Sequence, residues 1–255
     1  MRVGFAGAGN MAAAIARGWA AGDGGPEEMA FCDVDRSRAQ ALATEVGGET
    51  RKGLRELASD CDAVVLAVKP TALDEVAAEL DGLSGALISV LAATPLSRLR
   101  RSFPGAPVLR VMPNQPVQVR RGVVCYAPPV EMPAELESRL LEMLGVLGTL
   151  VPVEEEHIDA AMAIMSCTPA YFAAIARALA QAGEREGLDG GRATELVAET
   201  MGGTAELLRV RDPEAIESAV APPGGATEAG LEELERGGVG AALAAAVRAS
   251  LERFR

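Results

Sequence analysis

Residues 3 to 12 set the architecture of this chain: Val3-Gly4-Phe5-Ala6-Gly7-Ala8-Gly9-Asn10-Met11-Ala12. A short apolar run leads into a glycine-rich turn, and a helical pattern then continues to Ala20. Gly7 permits a tight strand-to-helix turn, Gly9 lets a ligand approach the backbone, and Ala12 is small enough for the helix to lie on a sheet. Glycine turns also occur for structural reasons alone, so the strand-turn-helix context carries the interpretation. The stretch predicts a dinucleotide site in which the first N–H groups of the helix, around Asn10 and Met11, face the pyrophosphate.

An acidic residue, Asp33, follows the second predicted strand. A carboxylate at this place accepts a hydrogen bond from a ribose 2′-hydroxyl and repels a 2′-phosphate, which slightly favours NADH. Arg36 and Arg38 follow closely, and their guanidinium groups are suited to the 2′-phosphate of NADPH. Both arginines also fit an ordinary solvated helix start. The predicted cofactor is therefore NADH or NADPH.

The composition restricts the class of protein. The 255 residues include 36 acidic and 24 basic ones, and the net charge of −12 disfavours binding to nucleic acid or to an anionic membrane. Cys32, Cys61, Cys125 and Cys167 lack metal-ligand spacing, and His157 is the only histidine, so we expect neither a metal site nor a Ser-His-Asp triad. Without a cleavable signal or an apolar run of the ~20 residues that a membrane span needs, we expect a cytoplasmic protein that does not enter membranes.

Strand and helix patterns alternate along the first 153 residues. The predicted strands are Arg2–Ala6, Met29–Cys32, Ala63–Val68, Ala86–Leu91, Val108–Met112, Val123–Tyr126 and Leu150–Val153. The predicted helices between them include Arg38–Val46, Leu73–Leu80 and Ala134–Leu147. Strands separated by helix-length segments imply a parallel sheet that is covered by helices on both faces. We therefore predict an α/β fold with a dinucleotide-binding domain at residues 1–153.

Strand patterns stop after about Glu154. Long helices are predicted at Ala170–Glu186, Arg192–Arg209 and Val239–Phe254, with breaks at residues 187–191 and 222–225. About 100 residues arranged in such helices bury little surface alone, so small helical layers often gain stability by association. Residues 154–255 are therefore predicted to form a helical domain that dimerises.

Four segments, in this order, resemble the Δ1-pyrroline-5-carboxylate reductase family, whose members catalyse the last step of proline synthesis. They are Gly4-Phe5-Ala6-Gly7-Ala8-Gly9-Asn10-Met11-Ala12, Leu66-Ala67-Val68-Lys69-Pro70, Arg110-Val111-Met112-Pro113-Asn114-Gln115-Pro116 and Pro223-Gly224-Gly225-Ala226-Thr227. A weaker fifth segment, Thr168-Pro169-Ala170-Tyr171, also matches, so the resemblance spans the chain. It implies a Rossmann-type doubly wound sheet followed by an all-α dimerisation domain. It also implies a homodimer, which in this family sometimes assembles into larger rings, and NADPH or NADH as cofactor.

The resemblance assigns two further segments to the cofactor. Ala67, Val68, Lys69 and Pro70 lie at the predicted carboxyl end of a buried strand, where open α/β sheets bind ligands. Met112, Pro113 and Asn114 follow a later strand and are expected to line the nicotinamide pocket. From the residues alone, Lys69 also fits a solvated loop, and the Pro-Asn pair fits an ordinary turn.

The same resemblance assigns the substrate site. The backbone of Gly224, Gly225 and Ala226 is expected to hold the substrate carboxylate, and the hydroxyl of Thr227 is expected to bond to the ring nitrogen. Ser166, Cys167 and Thr168 are expected to add substrate contacts. From chemistry alone, Thr168 fits a helix N-cap with Pro169 at the first helical position, and Thr227 fits the cap of an interhelical connector.

Three departures from the family pattern fall mainly near the substrate. Met165-Ser166-Cys167-Thr168 replaces a loop of small residues, and Pro222 replaces a serine that helps to hold the carboxylate. Arg120 stands where the family has a glycine. Glu154, Glu155, Glu156 and Asp159 near His157 fit a solvated helix start, and we expect no chemical role for His157.

The predicted activity is the NAD(P)H-dependent reduction of 1-pyrroline-5-carboxylate, a small cyclic imine, to L-proline. Transfer of a hydride to an imine needs little acid from the protein, which fits a chain without a catalytic histidine. The alternatives are reduction of another cyclic imine and a non-catalytic, dinucleotide-binding regulatory protein. A related enzyme acting on a 3-hydroxy acid is disfavoured, because such enzymes usually need a lysine base in the helical domain and no lysine follows Lys69.

Overall fold

The computed structural model describes residues 1–254, which fold into eight strands and twelve α-helices. The strands are β1 Arg2–Ala6, β2 Glu28–Cys32, β3 Glu49–Thr50, β4 Ala63–Leu66, β5 Ala86–Ser89, β6 Val108–Pro113, β7 Gly122–Tyr126 and β8 Gly148–Pro152. The helices of the first 169 residues are α1 Asn10–Ala20, α2 Arg36–Val46, α3 Leu54–Asp60, α4 Leu73–Glu79, α5 Leu96–Ser102, α6 Ala134–Gly145 and α7 Ile158–Met165. The remaining helices are α8 Thr168–Arg185, α9 Gly190–Leu207, α10 Pro213–Val220, α11 Ala226–Arg236 and α12 Val239–Phe254.

All eight strands form one sheet in the order β3-β2-β1-β4-β5-β6-β7-β8. The strands from β1 to β6 are parallel, β7 runs antiparallel to β6, and β8 is parallel to β7. The chain order reverses between β1 and β4, so the crevice outside their carboxyl ends is the topological switch point, where open α/β sheets bind ligands. The predicted α/β fold with a doubly wound sheet is confirmed.

Each face of the sheet packs against its own set of helices. Alternate residues of the strands point to opposite faces, so Val65 and Ile88 belong to one core and Val64 and Leu87 to the other. The first core is completed by α1, α2 and α6, and the second by α3, α4 and α5. The buried β4, Ala63–Leu66, is apolar throughout because it is covered on both faces.

The described residues divide into two compact units, Met1–Pro169 together with Arg253 and Phe254, and Ala170–Glu252. The predicted domain boundary between residues 153 and 154 stays a prediction. In the second unit only Ala180 and Ala193 are buried, whereas Phe172, Leu179, Leu196 and Leu234 are each more than half exposed. This unit therefore has almost no apolar core within one protomer.

One helical stretch, Glu155–Arg185, is long and apolar enough to cross a membrane by length and composition alone. Only 22% of the most apolar 18-residue window in this stretch is buried. The stretch is also not one continuous helix, because residues 166 and 167 separate α7 from α8. The stretch includes Phe172 and Leu179, so its composition reflects the same exposed apolar surface.

The predicted elements agree with the observed ones to within a few residues, but several observed elements were not predicted. These are the two-residue strand β3 and the helices α3, α5, α10 and α11, and of α7 only the start near His157 was predicted. α3 and α5 have seven residues each, which is too few for a helical apolar period to stand out. β3 is recognisable only through its pairing with β2.

Candidate functional site

The glycine turn at the switch point contains two glycines with different physical roles. Gly7 has φ +100°, and a Cβ there would lie 2.6 Å from the carbonyl oxygen of Ala67, so the fold itself requires glycine. Gly9 has φ −74°, and no heavy atom lies within 4 Å of a Cβ built there. Nothing inside the chain requires a glycine at position 9, and the open space beside it fits a ligand that approaches the backbone.

The start of α1 offers unpartnered N–H groups beside this space. The cap residue Gly9 makes no side-chain capping bond, and the first turn has no acidic residue. Within residues 1–254, the first helical N–H with a backbone partner is that of Ala13, which donates to the Gly9 carbonyl at 2.9 Å. The N–H groups of Asn10, Met11 and Ala12 therefore remain available to an anion, as the positive end of a helix favours. Ala12 itself is fully buried against the sheet.

The carboxylate of Asp33 is held at the carboxyl end of β2 by two backbone donors. The N–H of Ala8 donates to Asp33 Oδ2 at 2.6 Å, and the N–H of Asp35 donates to Asp33 Oδ1 at 2.8 Å. Asp33 thus fixes the glycine turn, and its contact with the cofactor ribose stays a prediction. Arg36 begins α2 with an exposed side chain, and Val34 between the two acidic residues is fully exposed. Sequence reasoning did not single out Val34.

The segment after β4 lies directly beside the glycine turn. The N–H of Ala67 donates to the carbonyl of Ala6 at 2.9 Å, which continues the pairing of β1 and β4 past their ends. Lys69 is exposed, and the described residues offer it no carboxylate within ion-pair distance, so its charge is free. Pro70 opens a single turn of 3-10 helix that leads into α4. The structure therefore brings the predicted Ala67–Pro70 segment and the predicted residues 7–12 together.

Met112 and Pro113 end β6, and Asn114 follows at the same edge of the sheet. Asn114 is buried, and its side-chain amide bridges two backbone groups: Oδ1 accepts from the N–H of Val123 at 2.8 Å, and Nδ2 donates to the carbonyl of Met165 at 3.1 Å. Asn114 thus links the start of β7 to the end of α7 through its side-chain hydrogen bonds. The contact with a nicotinamide ring, expected from the resemblance, stays a prediction.

The loop after β5 was missed by the sequence reasoning. Residues 90–95 lie at the carboxyl edge between β4 and β6, because β5 is the strand between those two. Ala93 has φ +51°, a left-handed conformation that a non-glycine residue seldom adopts, and Thr94 is buried. The apolar run Val90-Leu91-Ala92-Ala93 directly after a strand was the available signal.

The junction between α7 and α8 contains the predicted residues Ser166, Cys167 and Thr168. The hydroxyl of Ser166 donates to the Pro113 carbonyl at 3.4 Å, so the junction lies against the end of β6. The prediction that Thr168 caps α8 is wrong, because α8 begins at Thr168 itself and the Thr168 hydroxyl donates back to the Ile164 carbonyl. A threonine hydroxyl commonly donates to the carbonyl four residues earlier when that carbonyl lies within hydrogen-bond distance.

The segment before α11 is a tight turn. The N–H of Gly225 donates to the carbonyl of Pro222 at 2.9 Å, and Gly224 has φ +74° after Pro223, as a type II turn requires. The N–H of Gly224 donates to Glu228 Oε2 at 2.6 Å, so a carboxylate one turn into the helix closes the loop. Among the described residues, the N–H groups of Ala226 and Thr227 have no such partner.

Thr227 differs from the other threonines in the helices of this unit. The hydroxyls of Thr194, Thr200 and Thr204 each donate to the carbonyl four residues earlier, at 2.7–2.9 Å. Thr227 is the second residue of α11, is exposed, and has a hydroxyl without a hydrogen bond among the described residues. The alternative that Thr227 caps the helix is wrong, since Gly225 occupies the cap position.

One other expectation needs correction, and one departure from the family pattern has a structural explanation. Glu155 does not belong to a solvated helix start, because its Oε1 accepts from Arg110 Nη1 at 2.6 Å and from the N–H of Leu96 at 2.8 Å. Arg120, which stands where the family has a glycine, has structural contacts of its own. It occupies a left-handed position, φ +57°, and its guanidinium donates to the carbonyls of Val146 and Asp23. A glycine would reach this conformation without the side chain's two bonds.

Three cysteine thiols, those of the partly buried Cys32 and the buried Cys61 and Cys125, have raised pKa values. Burial raises the pKa of the Cys61 thiol to about 11, and it also raises the pKa values of Cys32 and Cys125 above their ordinary range. A thiol must lose its proton to attack a substrate or a disulfide, so these three remain protonated at neutral pH.

Comparisons with known proteins agree with this geometry. Residues 155–255 match the family model for pyrroline-5-carboxylate reductase dimerisation, and residues 2–93 match that for NADP oxidoreductase, coenzyme F420-dependent. Pyrroline-5-carboxylate reductase from a Synechocystis strain is 33% identical, with 99% of this chain and 97% of that protein aligned.

Two solved structures have nearly the same fold over the whole chain. The 1-pyrroline-5-carboxylate reductase of Streptococcus pyogenes has a TM-score of 0.90 at 28% identity, covering 100% of this chain and 98% of that one. The Plasmodium falciparum pyrroline carboxylate reductase, solved with NADP bound, has a TM-score of 0.88 at 26% identity, covering 100% and 97%. With the full-length likeness, the dimerisation region and the dinucleotide turn in agreement, the chain belongs to the pyrroline-5-carboxylate reductase family.

Proposed function

We propose that this chain reduces 1-pyrroline-5-carboxylate to L-proline with NADPH or NADH as the hydride donor. The observation that carries the proposal is that two segments with family motifs have backbone N–H groups free to bind an anion. One is the start of α1 with the open space at Gly9, and the other is the Pro223–Thr227 turn with its two unpartnered N–H groups. A dinucleotide pyrophosphate and a substrate carboxylate are the two anionic groups that the ligands of this reaction carry.

The bound cofactor supplies the hydride for the carbon of the C=N bond. A protonated imine is already electrophilic, so the protein contributes mainly position and charge. This agrees with the exposed His157, whose nearest carboxylate, that of Glu156, is 3.9 Å away. It also agrees with the protonated state of the buried thiols.

For the cofactor, we propose that Gly7, Gly9, Asn10, Met11 and Ala12 hold the pyrophosphate. Asp33 and Arg36 then face the adenosine ribose, and the exposed Val34 offers an apolar surface to the adenine. The segments Ala67–Pro70 and Met112–Asn114 continue the site along the carboxyl edge of the sheet. The free charge of Lys69 counteracts the net charge of −12 where an anionic ligand binds.

For the substrate, we propose that the Pro223–Thr227 turn binds the carboxylate and that Thr227 bonds to the ring nitrogen. Gly224 and Gly225 shape the turn, since their own N–H groups bond within it, and the N–H groups of Ala226 and Thr227 face the carboxylate. The family serine is Pro222 here, so these two N–H groups carry a larger share of the binding. Ser166, Cys167 and Thr168 complete the substrate site in this proposal.

The protein assembles as a homo-oligomer through its dimerisation region, and we propose a homodimer as the basic unit, with larger rings built from it. The proposal is supported by the exposed apolar side chains and the near absence of a core in residues 170–252. We also propose that the enzyme works in the cytoplasm and that residues 1–153 and 154–255 are its functional domains.

The direct test is turnover of racemic 1-pyrroline-5-carboxylate with each cofactor, followed by the loss of reduced-nicotinamide absorbance and by identification of proline. Arg36→Gln serves as the cofactor probe, and Arg38→Gln tests the second arginine that the sequence offers for the 2′-phosphate. We expect Arg36→Gln to weaken the binding of NADPH and to leave the binding of NADH nearly unchanged, because only NADPH carries the 2′-phosphate. Cofactor binding without turnover would contradict the proposal and support a regulatory protein. Turnover only of a larger cyclic imine would support the alternative substrate.

A further inference from the structure

A buried arginine lies on the strand that leads to the predicted nicotinamide edge. Arg110 is in the middle of β6, and its side chain is 4% exposed. Its Nη1 donates to Glu155 Oε1 at 2.6 Å, and its Nη2 lies 3.7 Å from Asp159 Oδ1. Arginine is almost never buried unless it is paired, so the sheet accommodates Arg110 because these carboxylates meet it.

Glu155 connects three segments that are distant in sequence. The same Oε1 that accepts from Arg110 also accepts from the N–H of Leu96, the first residue of α5, at 2.8 Å. Glu155 is also the residue at which the match to the dimerisation family begins. The pair therefore attaches the beginning of that region to the dinucleotide-binding sheet.

The other end of α7 is attached to the same strand. Asn114, four residues after Arg110, donates to the carbonyl of Met165, the last residue of α7. Ser166 then donates to the carbonyl of Pro113. Segment 155–166 is thus held at both ends. Arg110 of β6 binds the beginning of the segment, and Pro113 and Asn114 at the end of β6 bind its last two residues.

We propose that Arg110 and Glu155 are a positioning pair for the reduction. They set the α7–α8 junction, residues 166–168, against the Met112–Asn114 segment. The proposal rests on the proposed function, because these two segments are its substrate and nicotinamide contacts. Arg110 and Glu155 touch neither ligand and act through α7.

Two orphaned atoms argue that the pair serves position rather than stability. Arg110 Nε and Glu155 Oε2 are buried without a hydrogen-bond partner among the described residues. Each such atom weakens the folded state. The side chain of Arg110 is 4% exposed and that of Glu155 is 37% exposed, and an apolar pair of similar size is often as stable as an ion pair with a buried partner. An ion pair differs from an apolar contact in its direction, since a short charge-assisted bond fixes the register of α7 on the sheet.

The test compares three variants of the full-length protein with the wild type. Glu155→Gln keeps an acceptor for Leu96 but removes the charge that faces Arg110. Arg110→Met/Glu155→Leu replaces the pair by apolar side chains. Glu156→Gln is the matched control, because the Glu156 side chain is 82% exposed and does not contact Arg110. For each protein, the thermal midpoint, the Kd of NADPH, and kcat and KM for the imine are measured.

We expect Glu155→Gln to lower kcat/KM for the imine about tenfold to a hundredfold, as misplacement of reacting groups by about 1 Å does. The Kd of NADPH should stay near that of the wild type, because the pyrophosphate turn is untouched. The apolar double variant should recover the thermal midpoint but not kcat/KM. Recovery of both, or a lower thermal midpoint with unchanged kinetics in Glu155→Gln, would overturn the proposal and leave the pair a purely structural role.

A second readout separates this inference from the proposed activity. Amide hydrogen exchange at residues 165–168 should be faster in Glu155→Gln than in Glu156→Gln, because α7 loses its anchor. A wild type that does not reduce the imine would refute the proposed function, and the exchange result would still test the anchor. Equal exchange in both variants would refute the positioning pair.

Discussion

Replacing Gly9 by alanine separates cofactor binding from folding. A Cβ at this position meets no heavy atom within 4 Å and φ is −74°, so the folded chain accommodates it. Alanine lowers the conformational entropy of the unfolded chain, which stabilises the fold, but it caps a helix less well than glycine, which destabilises it. Because these two effects oppose each other, the free energy of unfolding should change by less than about 1 kcal/mol. The new methyl group occupies the space through which a phosphate would approach the N–H groups of α1.

The loss of binding follows from the hydrogen bonds that the methyl group prevents. A hydrogen bond between a backbone N–H and a charged group contributes about 1.5–3 kcal/mol. Losing one such bond raises the Kd of NADPH about ten- to a hundredfold, since each 1.4 kcal/mol is about a factor of ten. Isothermal titration gives the Kd, and urea unfolding gives the stability of the same preparation.

Gly7→Ala is the matched control two residues earlier. Here φ is +100° and the Cβ would lie 2.6 Å from the Ala67 carbonyl oxygen. We expect a loss of folding stability of at least about 1–3 kcal/mol from backbone strain. The reasoning would be refuted if Gly9→Ala bound NADPH like the wild type, or if it unfolded as readily as Gly7→Ala.

Three further predictions concern the helical unit and the buried thiols. Thr227→Val should lower kcat about ten- to a hundredfold by removing a hydrogen bond to a charged nitrogen, whereas Thr227→Ser should keep most activity; equal kcat in both variants would contradict the role of the hydroxyl. Glu228→Gln keeps an acceptor for the Gly224 N–H but removes a negative charge beside the proposed carboxylate site, so KM for the imine should fall by less than about fivefold. The exposed Glu232→Gln on the same helix is its control, and a higher KM in Glu228→Gln alone would disprove the electrostatic argument. The folded thiol of Cys61 has a pKa of about 11 against about 9.0 ordinarily, so the unfolded chain releases this proton first and stability falls as the pH rises from 9 to 11. Cys61→Ala should flatten that decline in urea unfolding measured across the same pH range, and an unchanged slope would show that other groups cause it.

Short-range chemistry made much of the fold and of the cofactor half predictable. Residues 2–12 contain a buried strand, a turn and a helix start in one continuous stretch, so their residue types alone predict a strand, a turn and a helix. The segments Ala67–Pro70 and Met112–Asn114 were placed at one edge because carboxyl ends of parallel strands share an edge. The family motifs supplied the expectation for the substrate half, and the roles of its residues stay predictions.

Three features became visible only in three dimensions. Arg110 and Glu155 are 45 residues apart, and Glu155 stands among acidic residues that resemble a solvated run. Nothing local distinguishes Gly7, which the fold requires, from Gly9, which it does not, because the difference is the distance to Ala67, which follows strand β4. Likewise, nothing in the sequence distinguishes Glu228 from the other acidic residues of its helix, and only the structure shows that its carboxylate accepts from the N–H of Gly224.

The order of residues thus determined the elements, the sheet class and the chemistry of the turns, since backbone preferences and apolar periods act over a few residues. Which charges are buried, which N–H groups stay open and which glycines face empty space depended on contacts between distant segments. Those contacts arise when apolar burial brings the elements together, and the free energy of each polar group then depends on the partners that it finds there.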